Sequence, residues 1–395
     1  MTLRVLHIWG PDFKYDFGGH YIFWKSAYEK WDDNSIQHLI LDYEYNMIKD
    51  AKELIRENRY ESNKSSNRLQ RLLWAFKLCG KILICRNDYD ILNVHMLLWG
   101  GLLIGPLSKI IRKPAIYESI LEGADNPSAI KKNKLGKIQL WCLKKFSKIL
   151  AISSALTDDY RSFGFTVVKN PNPVDSSIFS PLDSISDKLN LRKSLRIPIS
   201  SKVLLFVGSI IERKGVDIII KVFIELSETY KNLFLILVGP KSTNENRKIN
   251  VDYINEIYME LNSKHLLSRV MFTGLIDDKH ILSNYYQLSD IFIFPSRNEG
   301  LGNVILEAAS SKLPIIVSRL SEFEDIIQDK KTGLFVSKDD IQGFKSATNL
   351  LLNDFCLSQT IAKNARDHVV KNFSFNEWQS TLVKCFYEIY NKNQI

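Results

Sequence analysis

No apolar run in the sequence is long enough to cross a bilayer. The longest, Met96 to Leu107, is 12 residues and contains three glycines and a proline, where a spanning helix needs roughly 18 or more. Cysteine is scarce and odd in number. Cys79, Cys85, Cys142, Cys356 and Cys385 form no CxxC pair, which argues against a disulfide framework or a thiolate metal site and for reduced thiols in a cytosol. No secretory leader is expected, because the apolar run Leu3 to Trp9 is only strand-length before Gly10-Pro11. The expected location is therefore cytoplasmic. No recognised nucleic-acid module accompanies the positive charge, so nucleic acid is not expected as a partner.

The charge itself is uneven. Of a net +9, residues 1 to 180 hold 26 Lys and Arg against 19 Asp and Glu. Two windows account for the surplus: residues 64–86 carry six cations and no acid among Leu69, Leu72, Leu73, Trp74, Phe76 and Leu78, and residues 131–148 carry seven lysines and no acid among Leu135, Ile138, Leu140, Trp141, Leu143 and Phe146. A basic helix with an apolar face lies on an anionic membrane surface, each cation adding about 1 kcal/mol. Both windows read this way, which points to peripheral contact with the inner face of the cytoplasmic membrane.

At 395 residues the chain has room for two or three domains at roughly 150 residues each. The most informative stretch is Ser289 to Gly333. Asp290 to Pro295 is a short apolar run closed by proline, which reads as a buried parallel strand. The loop Ser296 to Asn303 holds two glycines, Val304 to Ala309 is helix-periodic, and Pro314 to Ser318 is a second strand. Such a unit places a glycine loop and a helix N-terminus at the C-terminal edge of a parallel sheet, where backbone N–H groups and the helix dipole favour an anion. Glu299 and Glu307 bracket that position with seven residues between them. Carboxylates repel phosphate but accept hydrogen bonds from hydroxyls, so the pattern calls for a polyhydroxylated ligand that carries phosphate. A nucleotide sugar meets both demands.

These residues resemble the retaining GT-B fold glycosyltransferases of family four (group 1), with their E-x7-E signature. Here it reads Glu299-Gly300-Leu301-Gly302-Asn303-Val304-Ile305-Leu306-Glu307. The resemblance implies an α/β fold of two Rossmann-like doubly wound domains facing across a cleft. It assigns Glu299 to the transferred sugar, Glu307 to the ribose hydroxyls, and Gly300, Leu301, Gly302, Asn303 and Val304 to the donor loop. Upstream, Val203 to Gly208 starts a strand–loop–helix unit whose loop ends in Arg213-Lys214-Gly215. Cations at a helix N-terminus oppose its dipole unless an anion lies between, so Arg213 and Lys214 are candidate phosphate clamps. Ser209 stands where the family usually has arginine, and Lys312 where it usually has glycine.

Gly274 and Leu275 end another strand, in the loop that the resemblance gives to the base. Gly19 of Gly18-Gly19-His20 would approach the donor diphosphate, and His95, closing the strand Asp90 to His95, would face the transferred sugar. The strand Ala115 to Ser119 leads into Glu118 and Glu122, which would line the acceptor side. Glu324 is placed in a helix after the second strand, where a family acid can face the site. Asp88-Tyr89-Asp90 spells D-x-D but precedes a strand, so it reads as a turn and no metal is expected. Asn170 to Asp175 resembles the family's interdomain segment, with Pro173 for the usual glycine.

The expected division is an acceptor-side domain over 1–180, a donor domain over 181–372, and a helix over 373–395 that folds back on the first. The activity implied is transfer of a sugar from a nucleotide diphosphate sugar, UDP- foremost, to a hydroxyl of a saccharide acceptor. That acceptor is expected to be lipid-linked, in bacterial surface polysaccharide synthesis, with no cofactor beyond the nucleotide sugar. Glu299 is not assigned as a nucleophile, since no carboxylate about 5 Å across the glycosidic bond is identifiable. Two rival readings are an accessory subunit that binds nucleotide sugar or a partner glycosyltransferase without catalysis, and a nucleotide-sugar epimerase.

Overall fold

A computed structural model describes residues 2–9, 24, 27–42, 47–51, 68–95, 101–120, 126–242 and 249–394. The chain divides into two compact units, residues 1–172 with 376–395, and residues 173–375. The chain thus leaves the first unit after Asn172, ahead of the sequence-based division at 180, and returns to it at Asn376.

The first unit is built on β1 (Leu3–Ile8), β2 (Ile36–Asp42), β3 (Met47–Asp50), β4 (Ile91–His95), β5 (Ala115–Ser119), β6 (Lys148–Ala151) and β7 (Val167–Lys169). Their order is β3-β2-β1-β4-β5-β6-β7. All neighbours are parallel except β3, which runs antiparallel along the edge of β2. Parallel strands covered on both faces are apolar throughout, and Val5, Leu6 and Ile8 of β1 are fully buried. Arg4 and Asp90 fix the register of β1 beside β4. The Arg4 backbone N–H donates to Asp90 Oδ2 at 2.9 Å and its guanidinium reaches both carboxylate oxygens at 3.0 and 3.1 Å. Asp90 of the D-x-D string therefore has a structural partner.

The first basic window forms helix α1 (Arg68–Ile84). Ala75, Leu78 and Ile82 face inward, while Leu73, Phe76, Leu83 and Ile84 are exposed together with Lys77. The second window does not form one amphipathic helix. It breaks into the end of a short helix at Lys131, helix α2 (Gly136–Leu143), and β6. The cause is local packing. A Cβ on Gly136 would stand 2.3 Å from the Ile130 carbonyl oxygen, so the chain doubles back between the two helices. Lys148 is then a buried strand residue paired with Glu388, although Ile138 and Trp141 remain exposed.

The second unit carries β8 (Lys202–Val207), β9 (Leu233–Val238), β10 (Val270–Gly274), β11 (Ile291–Phe294), β12 (Ile315–Ser318) and β13 (Leu334–Val336). Their order is β10-β9-β8-β11-β12-β13, all parallel. Four of the helices in this unit are α3 (Ile185–Ser194), α4 (Val216–Thr229), α5 (Lys279–Leu288) and α6 (Asn303–Ser310). Asp290, at the start of β11, binds α3 to the sheet. It accepts from Lys188 Nζ at 2.7 Å, Arg192 Nη2 at 2.8 Å and the Val203 N–H at 2.7 Å. The last helix, α7 (Phe375–Gln394), lies almost wholly in the first unit, where Trp378 packs on Trp24 and Trp31.

Lys312 closes α6 at φ +60°. Its N–H bonds the Ala309 carbonyl and the Leu313 N–H the Ala308 carbonyl, both at 3.0 Å. This is a Schellman turn, whose left-handed position favours glycine, and that accounts for the residue the family places there.

Candidate functional site

In each sheet the strand order reverses once, between β1 and β4 and between β8 and β11. Ligands of doubly wound sheets bind outside the C-terminal ends of the strands at such a reversal. In the second unit the loops leaving β8 and β11 are those that carry the sequence candidates. Gly215, at φ +71°, lets the two loops touch, because a Cβ there would lie 2.2 Å from the Pro295 carbonyl oxygen. The Arg297 N–H donates to the Arg213 carbonyl at 2.8 Å. The Arg297 guanidinium clasps Asp217 at 2.8 and 3.0 Å, at the start of α4.

Lys214 and Glu299 thereby meet. The Lys214 ammonium donates to Glu299 Oε1, with both side chains largely buried. Ser296 Oγ donates to the same oxygen at 2.7 Å, and the more exposed Arg213 guanidinium stands 3.4 Å away. The ammonium also lies over the Phe294 ring, 5.1 Å from its centroid. Burial pulls the Lys214 pKa down, and the Glu299 charge opposes that shift. An anion-seeking cation is thus held in a dry site by the protein's own carboxylate.

Gly302 precedes α6 at φ +82°. The helix therefore starts at Asn303, shortly after Glu299, in the loop leaving the C-terminal end of β11. Glu307 lies one turn along the helix and accepts from the Tyr286 hydroxyl at 2.8 Å. Loss of surrounding water pushes the Glu307 carboxyl up to about 7, against the Tyr286 hydrogen bond, which favours ionisation. Tyr286, fully buried on α5, is a residue the sequence reading missed; nothing in its surrounding pattern separates it from an ordinary core tyrosine. Gly274 ends β10 at φ +77°, and its carbonyl accepts from the Gly239 N–H at 3.0 Å. Leu275 beside it is exposed.

The structure therefore brings Arg213, Lys214, Glu299, Gly300, Leu301, Gly302, Asn303, Val304 and Glu307 to one edge of one sheet, with Gly274 and Leu275 two strands away from β8. Gly19 and Glu122 lie outside the described residues. Glu324 does not lie in a helix after β12; it follows a single 3-10 turn and is exposed, while Glu322 is buried in its place.

His95 and Glu118 belong to the first unit, at the C-terminal ends of β4 and β5. Both are buried in a chain of polar contacts that sequence reading did not find. His95 Nδ1 meets Glu118 Oε2 at 2.8 Å, His95 Nε2 meets His7 Nδ1 at 2.7 Å, and His7 Nε2 meets His38 Nδ1 at 2.7 Å. Asn93 and Trp24 also donate to Glu118, at 2.8 and 3.3 Å. Three neutral rings satisfy the whole chain if each donates from Nδ1 toward Glu118. Burial holds His7 well below its ordinary pKa, consistent with a neutral ring. Trp9 stacks on His95 at 3.9 Å between centroids. Both His95 nitrogens are accordingly engaged inside their own unit. Among the described residues no group of three or more His, Cys, Asp or Glu could hold a metal ion.

Comparison with known proteins agrees with this architecture. Residues 187–368 match the family described as glycosyl transferases group 1. The capsular polysaccharide biosynthesis glycosyltransferase CapM of Staphylococcus aureus is 30% identical over 172 residues, 43% of this chain and 41% of that protein. The lipopolysaccharide core biosynthesis mannosyltransferase LpcC of Rhizobium leguminosarum bv. viciae is 23% identical over 254 residues, 64% of this chain and 68% of that one. The chain spans about half the length of the first curated relatives it matches. Among solved structures, Anabaena HepE in complex with UDP and glucose superposes with a TM-score of 0.74 at 17% identity, over 98% of this chain and 100% of that one. The chain has the two-domain α/β fold of the GT-B glycosyltransferases, and the match to glycosyl transferases group 1 falls within its second unit.

Proposed function

We propose that the protein is a retaining glycosyltransferase that moves a sugar from a nucleotide diphosphate sugar to a hydroxyl of a saccharide acceptor. The observation that carries this is the Lys214–Glu299 pair beside the N-terminus of α6. The leaving group is a diphosphate, and its developing charge needs preorganised donors. Lys214, Arg213 and the first N–H groups of α6 supply them, so no metal ion is required. Glu299 then accepts hydroxyls of the sugar, and Glu307, steadied by Tyr286, accepts those of the ribose. UDP is the foremost nucleotide, since HepE, of the same fold, is solved with UDP and glucose.

The acceptor is lipid-linked in this reading, as befits relatives named for capsule and lipopolysaccharide synthesis. The exposed Leu73, Phe76, Lys77, Leu83 and Ile84 of α1 supply an apolar and basic face toward an anionic membrane. Flotation with anionic vesicles tests that part: Phe76→Asp with Ile84→Asp abolishes co-flotation, and unaltered binding removes the membrane from the account. For the reaction itself, the protein is incubated with nucleotide sugars and saccharide acceptors in the presence of EDTA, and nucleotide release is followed. Product NMR then reads the anomeric configuration. Release that Glu299→Ala abolishes, with the donor's configuration kept, supports the proposal; release unaffected by that substitution, or an inverted product, overturns it.

A further inference from the structure

Glu322 is a buried acid with no part in the transfer reaction proposed for this site. It lies on the 3-10 turn Ser321–Phe323, just beyond the C-terminal end of β12. β12 pairs in parallel with β11, Phe294 opposite Val317, so the two strands end side by side and their loops leave the same edge. The turn is seated directly on the candidate site. Phe323 is fully buried, its ring 6.1 Å from that of Phe294, the ring that Lys214 covers. The same ring is so close to Gly302 that a Cβ there would lie 2.8 Å from Phe323 Cε1.

Glu322 itself is 5% exposed. Ser321 Oγ donates to Oε2 at 3.1 Å, and among the described residues no cation pairs with it. Burial pushes its carboxyl up, hydrogen bonds from its own backbone N–H and from Ser321 oppose that shift, and the Glu299 carboxylate adds to it. A desolvated acid with another acid for a neighbour is costly unless donors satisfy it. The Glu299 partner, Lys214, is the group that the nucleotide's phosphates claim. Once they do, Glu299 keeps only the more exposed Arg213 at 3.4 Å, and the Glu322 turn beside it brings a second acid with no paired cation among the described residues. A sugar rich in hydroxyls satisfies such a pair, whereas one bearing a carboxylate brings a third negative charge to it.

Building on the nucleotide-sugar reading of this site, we propose that Glu322 joins Glu299 in lining the sugar subsite and selects donors whose transferred sugar is uncharged, rejecting uronic acids. Like-charge juxtaposition at a recognition surface is strongly unfavourable, so the preference should exceed about tenfold.

The test is calorimetric titration of the whole protein with matched donors that share one nucleotide, UDP-glucose against UDP-glucuronate and GDP-mannose against GDP-mannuronate, with the bare diphosphates as reference. In the native protein the neutral sugar binds at least tenfold tighter than its uronate. In Glu322→Gln that ratio falls severalfold while the bare diphosphate binds as before. Ser321→Ala, which removes only the bond within the turn, leaves the ratio in place. A native ratio near one, an unchanged ratio in Glu322→Gln, or a loss of diphosphate binding equal to the loss of sugar binding overturns the proposal, the last by assigning Glu322 to the architecture of the turn. Should no nucleotide bind the native protein, the functional reading beneath it fails as well, an outcome distinct from the other three.

Discussion

Removing a binding-site charge should here improve binding of a partial ligand. In the free protein the Lys214 ammonium is already satisfied by Glu299 Oε1 in a largely buried pair that Ser296 reinforces at 2.7 Å. A bare nucleoside diphosphate offers phosphate to Lys214 but nothing to Glu299, so its binding must first separate the two. Hydrogen bonds to charged groups contribute about 1.5–3 kcal/mol net. Glu299→Gln keeps the shape and removes the charge, leaving Lys214 an ordinary neutral partner. Releasing about 2 kcal/mol of that competition corresponds to about thirtyfold tighter binding of the bare diphosphate. The complete nucleotide sugar gains less, because the amide is a poorer acceptor for its hydroxyls, and transfer is lost. The variant's own stability falls by a similar amount, since the same pair is weakened. Isothermal titration of both proteins with the diphosphate and the nucleotide sugar reads all of this. Equal or weaker binding of the bare diphosphate by Glu299→Gln would refute the reasoning.

Because burial raises the Glu307 carboxyl to about 7, and ribose hydroxyls need it ionised, nucleoside affinity should hold above pH 7 and fall about tenfold per unit below it; Glu307→Gln should bind weakly and lose this component of the pH profile. The same shift has a consequence for the free protein. Between the ordinary 4.5 and about 7 the folded state holds a proton that the unfolded state has lost, so Glu307 lowers stability as pH rises through that window, and Glu307→Gln should flatten the pH dependence of the melting midpoint. Lys312→Gly should stabilise the protein by about 0.5–1 kcal/mol, since glycine removes the strain at φ +60° but adds freedom to the unfolded chain; a lower midpoint would contradict the Schellman account. Arg192→Met should cost about 3 kcal/mol in chemical denaturation, because it leaves Asp290 with one paired cation, Lys188, beside the Val203 N–H, and three backbone carbonyls, of Leu288, Ile199 and Ser201, without the guanidinium.

Much of the second unit was legible because its signals are local. An apolar run closed by Pro295, two glycines and a periodic helix specify a strand, a loop and a helix within one window, and β9 falls at Leu233–Val238 as its composition indicates. What lay beyond reach depends on strand order or on a single turn. The partnership of His95 with His7 and His38 exists only because β1 lies between β2 and β4, and no spacing in the sequence encodes it. Glu322 and Glu324 are two residues apart in a segment read as helix, and only the 3-10 turn decides which acid is buried. The break at Gly136 is local but equally hidden, since lysine and aromatic spacing alone cannot reveal the Ile130 carbonyl standing where a Cβ on residue 136 would be. The edge strand β3 and the three-residue β13 are too short to stand out from loops in sequence.

The most direct test of the account is the melting midpoint of the native protein and of Lys214→Ala against a panel of UDP, GDP and ADP with their sugars. A ligand at a hundredfold excess over its dissociation constant stabilises by about 2.7 kcal/mol, a rise of roughly 5–10 °C for a domain of this size. The account predicts that one nucleotide series produces such a rise in the native protein and that Lys214→Ala abolishes it. A flat response to every nucleotide, or an equal rise in Lys214→Ala, would contradict a donor site at the β8–β11 edge.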